Sequence, residues 1–397
     1  MLQTVLSKGN KAKNPMSGRA ETQIDILRPQ DLTAEDAALW AGFVAARPEL
    51  AGPYFDIRYV QAIGAKVPGG AVARITQDGR IVGYFPFQIR AGALQPLGAP
   101  MTDYHGLIGE AGCPFDYTAL LTATKARRLD FQGWVGAMCG KAEALVLQRR
   151  VADTSAGFEA WYAQQDHDHH KFFKNVARCE RNIVKDFGGF DFTWERVTPE
   201  VLDWVIALKR EQYKKTGLHD IFDCGWTRDL LDNLATLDDD TYGLRVGIFR
   251  HDGKLVAAEI SLMDEDSVHL WFPAYDPAYY RYTVGIVLTM AIIRELAPKG
   301  IKSFDFGTGG EDYKSPLTTF GGNCFEGSLQ YAPRIASRMV DATVAMLPAR
   351  PKVEQVRLSL RRRVNVIRST EVSFVGWGRA VYAMGQRAIM RIKPAKV

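Results

Sequence analysis

Two Asp-Gly pairs, Asp78-Gly79 and Asp252-Gly253, constrain this chain more than any other feature, because each separates two apolar, β-rich runs. An Asp-Gly step readily supplies the positive backbone dihedrals of a two-residue hairpin, so 71–75 with 81–89, and 242–250 with 254–262, are predicted antiparallel strand pairs. Similar elements surround each pair. Ahead of the first come an alternating strand at 24–27, a helix at 33–45 behind the capping residue Thr33, and a helix at 54–65. A Gly/Pro-rich stretch, a helix near 115–125 and a strand at 144–149 follow it. Ahead of the second come helices at 169–187, 199–216 and 227–237; a strand at 268–272, a helix at 286–296 and a strand at 301–306 follow. The expected class is α/β (α+β), with two lobes of mixed sheet flanked by helices. The boundaries are a leader at 1–22, lobes at 23–165 and 166–333, and a basic helical tail at 334–397.

Charge separates the tail from the body. From Arg350 onward there are 12 Lys and Arg against 2 Glu, a net +10; the whole chain carries +5, which leaves −5 for residues 1–349. No window offers the run of about 18 apolar residues that a spanning helix needs, and no secretion signal opens the chain, so a cytoplasmic protein is expected, with the tail a candidate for peripheral contact with the inner membrane. The five cysteines lack CxxC spacing, and the histidine group at 167, 169 and 170 has no matching cysteine, so no metal is expected.

Chemistry is expected between residues 279 and 320. Arg281-Tyr282-Thr283-Val284-Gly285 precedes an apolar helix, so free backbone N–H groups, a helix dipole and a cation converge where an anion would bind. The next strand ends in Asp305-Phe306-Gly307 and is followed by Tyr313-Lys314. Asp305 suits a general base or an amine-orienting group, and equally a strand-end salt bridge. Tyr313 suits a general acid and Lys314 an anion contact on the acceptor. His269, between Val268 and Leu270, reads first as a core histidine and second as a base. Asp103 and Tyr104 suit an acceptor cleft or a turn after Pro100. The Asp-Phe-Gly triplet is not a kinase signature, since no glycine-rich loop, VAIK strand or HRD motif precedes it.

These residues carry a resemblance. Tyr279-Tyr280, Thr283-Val284-Gly285, Gly300, Asp305-Phe306-Gly307 and Tyr313-Lys314 are similar to the acetyltransferase-like domain of bacterial CelD-type proteins of the GNAT superfamily. The Gly83–Pro86 stretch and Asp103-Tyr104 extend the likeness to members with two GNAT-like halves, and the basic tail resembles that of holdfast-associated N-acetyltransferases. The pyrophosphate signature is incomplete, with one glycine after Arg281 and Val284 where proline is common. The resemblance implies an N-acyltransferase that moves an acetyl group from acetyl-CoA to an amine on a sugar or exopolysaccharide precursor, without a metal. Arg281, Tyr282, Thr283, Val284 and Gly285 would hold the cofactor, Asp305, Tyr313 and Lys314 would do the chemistry, and Asp103, Tyr104 and His269 would face the acceptor. Two alternatives stand beside it. One is FemAB-like aminoacyl transfer from aminoacyl-tRNA. The other is a regulatory protein of polysaccharide or adhesin synthesis whose tail arginines Arg357, Arg361 and Arg362 grip a cyclic dinucleotide.

Overall fold

The computed structural model describes residues 22–113, 116–136, 144–309, 313–330, 362–373, 375–380 and 382. Its first half contains β1 (Thr22–Leu27), α1 (Ala34–Ala45), α2 (Ile57–Gly64), β2 (Gly70–Gln77), β3 (Arg80–Arg90), β4 (Ala93–Pro96), β5 (Ile108–Gly109), α3 (Tyr117–Thr124), β6 (Arg128–Trp134) and β7 (Leu145–Asp153). The second half contains α4 (Phe158–Phe187), β8 (Asp191–Arg196), α5 (Pro199–Thr216), α6 (Trp226–Ala235), β9 (Gly243–His251), β10 (Lys254–Met263), β11 (Ser267–Tyr275), α7 (Val284–Leu296), β12 (Ser303–Asp305) and β13 (Thr319–Gln330).

Both predicted hairpins form, with Asp78-Gly79 and Asp252-Gly253 at positive φ in their turns. Thr33 caps α1 in a reciprocal capping box with Asp36, which satisfies N–H groups that the first helical turn leaves open. Each half then repeats one topology. An edge strand and three antiparallel strands are followed by a helix, and the strand after that helix runs parallel to the last of the three: β6 beside β4, and β12 beside β11. One sheet joins the halves in the order β1-β2-β3-β4-β6-β13-β7-β12-β11-β10-β9-β8, with β5 on β3. The seam is interleaved: β13, late in the chain, pairs with both β6 and β7, and β7 pairs in turn with β12.

Several elements differ from the sequence reading, the short strands β4 and β5 among them, neither of which was expected. α4 begins at Phe158 rather than His169, because Phe158, Trp161 and Tyr162 pack against one another and against Phe173, and the chain passes through a non-helical residue at His169 without ending the helix. β8, β6 and β13 were not anticipated as strands. β13 carries Gly321, Gly322 and Asn323, which dilute its alternation, and pairing on both edges stabilises it instead.

The core lies on both faces of the sheet. One apolar cluster joins α1, α2, α5 and α6 to the strands; a second packs α4 and α7 against the second half; a third lies under α3. Within the described part of the tail, helix 362–370 is docked on the body: Trp226 Nε1 donates to Thr370 O at 2.9 Å and Arg90 Nε to Ser369 O at 3.1 Å. Donors from both halves thus satisfy carbonyls at the end of that helix.

Candidate active site

β11 and β12 pair for three residues only, Ser267–Ser303, Val268–Phe304 and His269–Asp305. β12 then ends, while β11 runs on to Tyr275. Among the described residues the β11 edge from Leu270 to Tyr275 therefore has no strand partner on that side, and the notch it borders has His269 and Asp305 at its apex. At its far end, about 20 Å away at roughly 3.3 Å per residue, lies the start of α7: a Cβ built on Gly285 would meet Tyr275 Cδ1 at 3.6 Å.

The apex is a buried ionic cluster drawn from both halves. Asp305 accepts from Tyr104 Oη at 2.9 Å, Arg149 Nη2 at 3.1 Å and its own Gly307 N–H at 2.6 Å. Gly307 sits at φ +78°, a left-handed turn that folds its N–H back onto the carboxylate and explains why glycine follows Phe306. His269, 1% exposed, lies between two carboxylates, with Nε2 at 2.9 Å from Asp103 Oδ2 and Nδ1 at 3.4 Å from Asp305 Oδ1. Arg149 also stacks over the Tyr104 ring at 4.5 Å. Burial alone would strip the His269 proton, but the two carboxylates overcome it and raise the group to about 9. Burial likewise opposes ionisation of Asp305, yet His269, Arg149 and the Gly307 N–H hold it down at about 2.

This bears directly on the expected roles. A carboxylate held near 2 is a poor acceptor for an ammonium proton, so the general-base half of the Asp305 reading does not suit the site; the orienting and salt-bridging half does. His269 is a cation at neutral pH, which also removes it as a base. Asp103, with its side chain 39% exposed, is the carboxylate of the cluster that meets solvent.

Sequence reasoning missed three contributors. Arg149 is the last residue of the strand expected at 144–149 and lies near the middle of β7, and nothing local marks it. Tyr54 packs edge-on against His269 at 5.0 Å and against Tyr104 at 6.0 Å, from the turn before α2. Glu259, buried in β10 opposite Pro273 of β11, has an Oε1 without a hydrogen-bond partner among the described residues. Burial pushes its carboxyl up to about 8, against the pull of Lys209, His269 and Lys314. A lone glutamate within an apolar β10 run was the available signal, since such a charge is rarely buried without a reason.

The anion end is organised differently. Thr283, at φ +52°, precedes α7 and makes no side-chain cap, so Val284 and Gly285 present N–H groups that have no acceptor within the helix. Nothing among the described residues requires glycine at 285, since a methyl there would make ordinary contact; the open approach suits a phosphate-bearing group close to the backbone. Arg281 is 74% exposed, lies over the Tyr282 ring, hydrogen-bonds the Tyr282 hydroxyl and sits 3.4 Å from Asp186. Tyr282 is buried and donates to Asp186 at 2.7 Å, which makes it a support for the turn. Lys314 donates to Phe306 O at 2.9 Å, bracing the Asp-Phe-Gly turn, and Tyr313 is 40% exposed beside it. Arg362 lies 3.3 Å from the buried Glu326, and Arg357 and Arg361 fall outside the described residues. Among the described residues no group of His, Cys, Asp and Glu has metal-binding geometry, and no helix is long and apolar enough to cross a membrane.

Comparison with known proteins agrees with the topology of the second half. Residues 170–315 match the family model described as an acetyltransferase (GNAT) domain. The chain is thus an acyltransferase with a GNAT-type domain, and such a domain implies an acyl-CoA donor and an amine-bearing acceptor. A search of curated proteins finds no match. Among solved structures, a tandem GNAT protein from the clavulanic acid biosynthesis pathway is 10% identical over 79% of this chain and 100% of that one, with a TM-score of 0.48. FemX is 10% identical over 77% and 97%, at 0.46. A glucosamine N-acetyltransferase region of a fungal multi-domain beta-N-acetylglucosaminidase is 11% identical over 78% and 38%, at 0.43. Likenesses at this level identify neither substrate nor mechanism.

Proposed function

We propose that the chain transfers an acetyl group from acetyl-CoA to the amine of an amino sugar or glycan precursor, at the notch between β11 and β12. The observation that carries the reading is the unpartnered β11 edge, with a protonated His269 and the exposed carboxylate of Asp103 at one end and the uncapped start of α7 at the other. When bound, acetyl-CoA supplies the activated thioester, and the protein's part is to hold and orient it. The α7 N–H groups and Arg281 suit the pyrophosphate, and backbone N–H groups on the free edge of β11 suit the rest of the donor and its carbonyl oxygen. At the apex, Asp103 suits an incoming ammonium group, and the half-buried ring of Trp271, packed against Tyr54, suits the face of a sugar.

The incoming ammonium gives one proton to water to become the attacking amine, and the nitrogen loses a second as the new C–N bond forms and the C–S bond breaks. Glu259, whose carboxyl burial raises to about 8, is the group we assign to that acceptance near neutrality, directly or through water, and Tyr313 is the hydroxyl we assign to protonate the departing thiolate. Asp305 acts through its neighbours, fixing His269, Tyr104 and Arg149.

Thiol release from acetyl-CoA, followed across a panel of amino sugars, tests the reading. The native chain should release CoA only with an amine acceptor, with kcat/KM rising through about pH 8, and Glu259→Gln should lower the rate about 100-fold or more and flatten that rise, the scale of a general base. Release that no amino sugar stimulates, with transfer instead from aminoacyl-tRNA, would replace this reading by the aminoacyl one.

A further inference from the structure

The repeated topology invites a comparison between the two halves. In the second half the strands flanking the helix are β11 and β12, with α7 between them in sequence; in the first half they are β4 and β6, with α3 between them. Both pairs begin parallel, through Val268–Phe304 and Leu94–Leu129 respectively. Their continuations differ. Beyond the parallel contact the edge of β11 is open, whereas in the first half the chain leaves after Pro96 and re-enters the sheet at His105. His105 bridges Trp134 in parallel, its N–H donating to Gly133 O at 3.1 Å and its carbonyl accepting from Val135 N–H at 2.8 Å. β5 then takes up the pairing with Gly83 and Tyr84 of β3. The chain's own backbone therefore fills the place that corresponds to the open edge.

The helix starts differ in the same sense. Asp116 caps α3, one carboxylate oxygen accepting from the N–H groups of Thr118 at 2.9 Å and Ala119 at 3.1 Å. A carboxylate already sits where an anionic group would have to bind. The first turn of α7 has no such cap.

The segment between departure and re-entry, residues 97–104, reaches the other half. Asp103 meets His269 and Tyr104 meets Asp305 at 2.9 Å each, across sequence separations of 166 and 201 residues. Its position is fixed by Gly133, at φ +70°, where any side chain would collide with the Asp103 carbonyl oxygen at 1.8 Å.

We infer that the first half has lost its own donor site, and that the segment closing it has become the acceptor-side wall of the second half's site, bringing Asp103 and Tyr104 to the apex. This rests on the donor reading above. One chain then takes one acyl-CoA, and Asp103 and Tyr104 act as positioning residues for a reaction whose donor is held entirely by the second half.

Calorimetric titration of the full chain with acetyl-CoA counts the sites. One equivalent is expected, weakened about tenfold or more by Gly285→Asp, which places a carboxylate at the start of α7 as Asp116 does at α3. Asp116→Ala should leave both the count and the affinity unchanged. Photolabelling of the native chain with a CoA that carries its photoreactive group at the adenine end, far from the apex, needs no variant to fold, and should mark peptides at the start of α7, within 275–290, and none along α3, within 116–124. Two equivalents, a second equivalent opened by Asp116→Ala, or label in the first half would overturn the inference while leaving the donor reading intact. Absence of any acetyl-CoA binding would overturn both.

Discussion

Gly133→Ala is expected to lower the stability of the protein by about 3 kcal/mol, the sum of a left-handed backbone penalty and the overpacking of a backbone carbonyl. The added Cβ would lie 1.8 Å from Asp103 O, so the segment carrying Asp103 and Tyr104 would have to move. Gly79→Ala is the matched control. It shares a positive φ, +80°, but a Cβ there meets nothing within 4 Å, so it should lose only about 1 kcal/mol. Urea denaturation of the two variants separates the backbone term from the collision. The same variant should lose acetyl transfer beyond what its residual folded fraction explains, because the contacts of Asp103 and Tyr104 hold the geometry at His269 and Asp305. Equal losses for both variants would mean that residues 103–105 yield freely and do not fix the site.

The second large effect is on the pH dependence of stability. His269 is raised in the folded chain to about 9, above its ordinary value of 6.5. Its contribution is therefore complete below about pH 6.5 and is lost as pH rises through 9; a shift of that size corresponds to on the order of 3 kcal/mol. Asp305 has the opposite sign. Its folded value of about 2 lies below the ordinary 3.8, so its contribution is present above about pH 4 and is lost as pH falls toward 2. The two contributions report largely the same attraction and are not summed. Stability should thus decline on the alkaline side as His269 loses its proton; Glu259, raised in the folded chain to about 8, adds a decline of its own above about pH 4.5, so His269→Gln should show a smaller fall between pH 6 and 9.5 than the native chain. Denaturation of both chains at about pH 6 and pH 9.5 checks this, and a native chain equally stable at the two would refute the buried ion pair. Asp305→Asn should be harsher than either pH limit at neutrality, by about 3–5 kcal/mol, since it leaves Arg149 and His269 without their shared carboxylate.

Much of this architecture was legible in the residues. The Asp-Gly turns, the Thr33 cap and the boundaries of α5 and α7 follow from local chemistry, and the repeated order of elements suggested duplication before the strand pairing displayed it. What escaped was non-local. β6 and β13 are strands because each finds partners far along the chain, and no single stretch of sequence announces that pairing. The same holds for the site. Asp305, His269, Asp103 and Tyr104 were each singled out from their own neighbourhoods, but their assembly into one cluster depends on residues 97–104 crossing to the other half. Arg149 and Tyr54 had no local mark at all. The role of Asp305 stayed open between a base and a salt bridge for a related reason: the cations around it, Arg149 and His269, come from distant parts of the chain.

The most direct test of the central claim is hydrogen exchange of the native chain with and without saturating acetyl-CoA. Donor binding in the notch predicts slower exchange of the β11 edge amides in 270–275 and of Val284 and Gly285, with little change along β4, β5 and α3. Protection confined to the first half, or absent from both β11 and the start of α7 when acetyl-CoA is bound, would contradict it.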